Sequence, residues 1–347
     1  MTTTQQMHYD RQVASWLIFC AVVVFGMIIL GGATRLTHSG LSMVEWKPLI
    51  GIIPPLSEAA WLEIFNKYKQ FPEYQKINHG MSLDEFKSIF MYEYLHRVLG
   101  RLIGMIFLFP MLYFAFRKRL RPRLFPKLFI LFILGGLQGL LGWYMVKSGL
   151  VDNPHVSQYR LTAHLGAAIV LYGYMLWVSF DLLFTRAKGA AVGATSRWSL
   201  LLVALVFMMI LSGGLVAGTR AGLAYSTWPL MGDTFIPAGL YSLTPAWLSA
   251  FEDITTIQFN HRMFAYLLFV LLNVFAFKVY RSSSADGRGR LGAVLLVTAL
   301  FVQVGLGIIT LLLQVPVVLG VAHQGGAVLL LTAMLFVSHQ QLNELSP

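Results

Sequence analysis

Four of the nine histidines stand where exposure to water cannot account for them. His96, His164, His261 and His323 each lie inside an apolar run, in "EYLHRVLG", "TAHLGAA", "FNHRMFAYLL" and "AHQGGA". A charged side chain near the centre of a membrane helix costs about 2.5–3.5 kcal/mol on insertion scales, and ionisable residues there point to function. Neutral imidazole is a common metal ligand. Zinc wants three or four N, S or O donors. Cys20 is the sole cysteine, so neither a cysteine-based zinc or iron–sulfur site nor an intramolecular disulfide can be built. Haem iron needs only one or two axial donors, and histidine is a frequent one. A flat macrocycle also needs small neighbours. Gly100 and Gly104 follow His96, Gly135, Gly139 and Gly142 ridge the next apolar run, and Gly320, Gly325 and Gly326 flank His323. Arg97, Arg101, Arg160, Arg220 and Arg262 are candidate partners for propionates.

One carboxylate joins this set. Glu93 stands three residues before His96, on the same helical face, whereas the matching residue before His261 is the neutral Gln258. A buried glutamate beside a redox centre can take up or relay a proton. The plainer reading is an ion pair with Arg97, four residues on. His8, His38, His79, His155 and His339 fall in tails or loops, where solvation explains them, although His38 and His155 could approach a propionate.

The elements that must position these residues follow from hydropathy. The chain of 347 residues is 57% hydrophobic and 12% charged, with a mean hydropathy of +0.67. That composition belongs to an integral membrane protein. The net charge of +11 gathers in short segments between apolar runs, which argues against a nucleic-acid partner. Runs of about 20 apolar residues cross a bilayer as helices, and the sequence predicts eight: 13–32, 88–115, 128–147, 160–184, 198–217, 255–280, 291–312 and 318–338. Basic clusters follow the second span ("RKRLRPRLFPK"), the fourth (Arg186, Lys188, Arg197) and the sixth (Arg281, Arg288, Arg290). They place both termini on the cytoplasmic side. The long loop 33–87 carries an amphipathic stretch, Ala59–Phe71, that predicts short helices over the outside.

The chain also repeats itself. "GGATRLTHSGLSMVEW" matches "GGLVAGTRAGLAYSTW", pairing Trp46 with Trp228. "LHRVLG" matches "NHRMFA", "QGLLG" matches "QVGLG", and "AHLGAA" matches "AHQGGA". Four spans per copy give parallel repeats about an axis along the membrane normal. The expected fold is therefore an all-α integral membrane protein, its eight helices arranged as two four-helix bundles related by a pseudo-twofold axis. Residues 1–190 form the first and 191–347 the second. Each bundle would bring two histidines together at one depth, near the outer face, as bundles do around cofactors.

"GGATRLTHSGLSMVEWKPLIGIIPP", "EYLHRVLGRLIG", "VSQYRLTAHLG", "TWPLMGDTFIP", "FNHR" and "AHQGGA" together resemble the heme A synthase family of the proteobacterial and mitochondrial type, over nearly the whole chain. The resemblance implies an enzyme of the inner membrane that oxidises the C8 methyl of haem O to the formyl of haem A by successive hydroxylations. It implies that His261 and His323 hold a haem b cofactor in the second bundle. His96 and His164 would then meet the iron of substrate haem O in the first, with Glu93 as the catalytic acid. Arg97 and Arg262 go with the cofactor-binding set. It further implies contact with haem O synthase or with cytochrome oxidase assembly; the electron partner stays open. Paired outer-loop cysteines found in some members are missing here, so no loop disulfide serves this chain. The spacing alone also suits a di-haem membrane cytochrome b that carries electrons from quinol to an outer acceptor. A haem transporter is disfavoured, because the spans lack broken-helix signals apart from Pro110.

Overall fold

The computed structural model describes residues 3–45, 53–149, 156–184, 194–282 and 287–342. Trp46, His155 and the basic residues Arg186 and Lys188 lie outside them. In chain order the helices are α1 (Thr3–Leu36), α2 (Glu58–Tyr68), α3 (Pro72–Lys76), α4 (Leu83–Phe116), α5 (Phe125–Gly149) and α6 (Gln158–Leu183). The second half continues with α7 (Ala194–Thr219), α8 (Ser249–Glu252), α9 (Ile254–Ser282), α10 (Arg288–Leu312) and α11 (Val317–Gln341). Eight of them are long and apolar enough to cross a membrane. All eight expected spans are present, most of them longer at one or both ends than their apolar cores.

The extensions have local causes. α4 starts five residues before its apolar core because Ser82 and Glu85 form a reciprocal cap. α9 is capped by the preceding Asp253, whose carboxylate accepts from the backbone N–H of Thr256 at 2.7 Å. Pro110 lies inside α4 and has no N–H to give to the carbonyl of Ile106. The Trp16 indole N–H of α1 donates to that carbonyl at 3.0 Å instead, which keeps it paired where water is absent. α11 runs past 338, and this corrects the expectation for His339. The residue is fully buried, ringed by Trp177, Phe180 and Phe184, and its Nε2 sits 3.2 Å from Asp181.

The long helices pack in a repeating order. α1 packs on α4 and α6, and α5 on α4 and α6; in the second half α7 packs on α9 and α11, and α10 on α9 and α11. The halves meet where α6 packs on α7 and α1 on α11. These two seams match atom for atom in kind. A Cβ on Gly166 would strike Leu211 and approach Phe207; one on the repeat-equivalent Gly325 would strike Ile29 and approach Phe25. Small residues allow such close helix contact where no hydrophobic drive separates protein from lipid. The equivalent turn residues His38 and Arg220 both adopt left-handed backbone, with φ of 54° and 59°. They touch each other at 3.2 Å.

The segment between α1 and α4 folds into α2 and α3. Phe65 and Tyr68 of α2 bury against Phe86, Phe90 and Tyr94 of α4, so the amphipathic face read in Ala59–Phe71 covers the start of α4. Lys67 ties α2 to the preceding loop through Glu45 at 2.9 Å.

Candidate functional site

His96, His164, His261 and His323 sit on α4, α6, α9 and α11. Each stands 18 to 21 residues before the last residue of its helix, Phe116, Leu183, Ser282 and Gln341. At about 1.5 Å per residue this is the same level, roughly 30 Å from the far ends. His96 and His164 are close enough for their charges to interact, and so are His261 and His323. Each half thus brings one pair of imidazoles together.

Every one of these rings lies against a glycine of the preceding long helix. A Cβ on Gly31 would come within 3.0 Å of His96, on Gly142 within 2.8 Å of His164, on Gly213 within 3.4 Å of His261, and on Gly307 within 2.8 Å of His323. Gly31 and Gly213 are repeat partners, as are Gly142 and Gly307. The glycines therefore fix where the rings go; of the four, only Gly142 is among the small residues expected to make room for a macrocycle. The four imidazoles are not alike in their hydrogen bonds. His261 Nδ1 lies 2.7 Å from Ser212 Oγ and His323 Nδ1 lies 3.2 Å from the Gln303 amide. Nδ1 of His96 and of His164 is buried with no hydrogen-bond partner.

Glu93 is buried, 3% exposed. One oxygen accepts from the Ser42 hydroxyl at 2.8 Å and the Met43 N–H at 2.7 Å; the other pairs with Arg97. Arg97 also donates to the carbonyls of Met43 at 2.9 Å and Glu45 at 3.3 Å. The second half repeats the clasp. Arg262 donates to Tyr225 O at 3.0 Å and Thr227 O at 2.9 Å, the repeat equivalents of Met43 and Glu45. Gln258, standing for Glu93, donates to Tyr225 O at 3.0 Å. Both arginines thus pin the loop that follows the first helix of their half onto the turn that bears the histidine. Sequence spacing placed them there but could not tell this from a propionate contact. Arg97 and Arg101 also line a cleft of about 270 Å³ between α2, α4 and loop residues 43–45 and 53–55.

A second buried carboxylate, Glu73 of α3, escaped the sequence reading because a charged residue beside a proline in a polar loop reads as solvated. It is 5% exposed and accepts from the Tyr68 hydroxyl at 3.3 Å, which in turn accepts from Asn78 at 2.7 Å. Burial, reinforced by the charge of Glu93, pushes its carboxyl up to about 8. A carboxyl that binds its proton more tightly when folded stabilises the fold at low pH. The gain is complete below the unfolded value near 4.5 and is lost as pH rises through about 8. Amide exchange in α2 and α3, corrected for intrinsic rates, is expected to accelerate about tenfold or more between pH 5 and pH 8.5. Glu73→Gln should remove that pH dependence; an unchanged profile would show that Glu73 is not its source.

The donor set fits haem. Each half offers two nitrogen ligands, with rings seated by glycine and, in the first half, buried ring nitrogens that no protein group satisfies. No cluster of three or more His, Cys, Asp or Glu among the described residues could hold a bare metal ion. The fold and the paired rings define a class: multi-pass helical membrane proteins with paired imidazoles set among the helices.

Within that class the chain belongs to the cytochrome oxidase assembly protein family, whose model matches residues 14–335. It is 53% identical to the heme A synthase of Nitrosospira multiformis, over 97% of this chain and 96% of that protein. It is 50% identical to the heme A synthase of Nitrosomonas eutropha, over 94% of this chain and 92% of the relative. The heme A synthase of Parvibaculum lavamentivorans is 46% identical over 94% of both.

Proposed function

We propose that this chain is an oxidoreductase that converts haem O to haem A by two two-electron oxidations of the C8 methyl. Each adds one oxygen atom from water or dioxygen, with an external oxidant taking the electrons, first to the alcohol and then to the geminal diol, which loses water to give the aldehyde. The observation that carries the reading is the asymmetric repeat: two glycine-seated imidazole pairs at one level, with a carboxylate beside only one of them. The shared name of relatives at about half identity supports it. Residues 1–190 form the substrate bundle and 191–347 the cofactor bundle, about a pseudo-twofold axis; the matching seams α6–α7 and α1–α11 support that arrangement. His261 and His323 hold haem b, which supplies one-electron redox chemistry when bound. His96 and His164 orient haem O, and Glu93, on the same face of α4, accepts and releases protons at its carboxylate oxygen. Arg97 and Arg262 keep the outer loops closed over the sites, so that water stays out. The sites lie toward the outer face of the inner membrane, with both termini cytoplasmic. The haem O supplier and the oxidase assembly apparatus are the natural partners for so insoluble a substrate and product.

Pigment extracted from the protein, purified from cells that make haem O, tests this. One firmly held haem b with smaller amounts of haem O and haem A is expected. Two stoichiometric haems b and no haem A, in purified protein and in the cells, would instead establish an electron-carrying cytochrome b.

A further inference from the structure

The two imidazole pairs differ behind the ring. Ser212 Oγ lies 2.9 Å from the Met209 carbonyl and 2.7 Å from His261 Nδ1; with its one proton given to the carbonyl, its oxygen accepts from an Nδ1–H. That makes Nδ1 of His261 the protonated nitrogen and leaves the Nε2 lone pair for a metal. On the facing helix the Gln303 amide lies 3.2 Å from His323 Nδ1. Its buried oxygen has no other partner, and a half-turn of the amide presents that oxygen to an Nδ1–H. Gln303 reaches this place only because residue 326 is glycine; a Cβ there would lie 2.3 Å from Gln303 Oε1.

The first half lacks both devices at the repeat-equivalent positions. Leu30 stands where Ser212 stands, and Ala167 stands where Gly326 stands. Gln138, the equivalent of Gln303, donates instead to the backbone carbonyl of His164 at 2.8 Å. Both Nδ1 atoms are left without a partner.

We propose that Ser212 and Gln303 are positioning residues that turn the second imidazole pair into a permanent haem holder, and that Leu30 and Ala167 leave the first pair unbuttressed so that its haem exchanges. Hydrogen bonds to the distal nitrogen fix the tautomer and ring orientation and raise ligand basicity, and losing such partners typically costs 10–100-fold in metal affinity. Permanence in one half and release in the other thus arise behind the ring, with the same ligand type in both. The inference rests on the proposed function in taking both pairs as haem sites.

The test follows loss of haem from the purified full-length protein to excess apomyoglobin as acceptor. Wild type should show one fast and one slow phase. Ser212→Ala with Gln303→Leu should accelerate the slow phase about 10–100-fold and raise the midpoint potential of that haem; Ser212→Thr, which keeps the hydroxyl, should restore both. Leu30→Ser with Ala167→Gly should slow the fast phase and remains informative if the first double variant does not accumulate. Slow-phase kinetics unchanged in Ser212→Ala/Gln303→Leu, or fast-phase kinetics unchanged in Leu30→Ser/Ala167→Gly, would overturn the proposal while leaving the haem sites standing. Wild type without bound haem in either half would overturn the functional reading itself, and this inference with it.

Discussion

Glu93→Gln is expected to lower haem A formation by at least about 100-fold, the usual scale for removing a positioned proton carrier, while leaving haem b content and protein yield at wild-type levels. Glutamine is the informative replacement. The second half already places Gln258 at this position with the same arginine clasp over the same loop carbonyls, so the amide is compatible with the fold. Alanine is not equivalent. Both replacements remove the charge that faces Arg97, but alanine also leaves the Met43 N–H without the oxygen that accepts from it, and a buried donor left unpaired costs about 1–3 kcal/mol. A loss of activity in Glu93→Ala therefore mixes proton handling with a loosened loop. Full haem A yield from Glu93→Gln would reduce Glu93 to the anchor that Ser42, Met43 and Arg97 describe.

The second large effect separates the halves. His261→Ala and His323→Ala should each strip haem b from the purified protein and abolish haem A formation. His96→Ala and His164→Ala should abolish haem A formation but leave haem b in place with its visible spectrum unchanged. The rings belong to different helices and different glycine seats, Gly213 and Gly307 against Gly31 and Gly142, so truncating one pair leaves the other pair's packing intact. Loss of haem b from His96→Ala would contradict the assignment of substrate and cofactor bundles. Chromatographic separation of haems b, O and A reads all four variants.

Much of this was legible before the structure. The eight spans stand out because hydropathy over 20 residues is a strong signal, and the histidines because the repeat places the same two in each copy. The limits were equally physical. Sequence places Arg97 and Arg262 beside the imidazoles but says nothing of which way a long, flexible side chain turns, and both turn to loop carbonyls. His339 looked solvated because burial by the distant α6 leaves no local mark, and Glu73 drew no notice in a polar loop. Leu30, Ser212, Ala167 and Gly326 carry the contrast between the halves, yet each is an ordinary residue in an apolar run. Only the position of a hydroxyl or an amide behind a ring gives them meaning.

The clasp of Arg97 has a mechanical corollary. The guanidinium that grips residues 43 and 45 grows from the residue next to His96, so loop and imidazole are fastened to a single helical turn. Lifting that stretch of loop must first release the arginine. A displacement of the loop is thus felt at the turn that bears the ring.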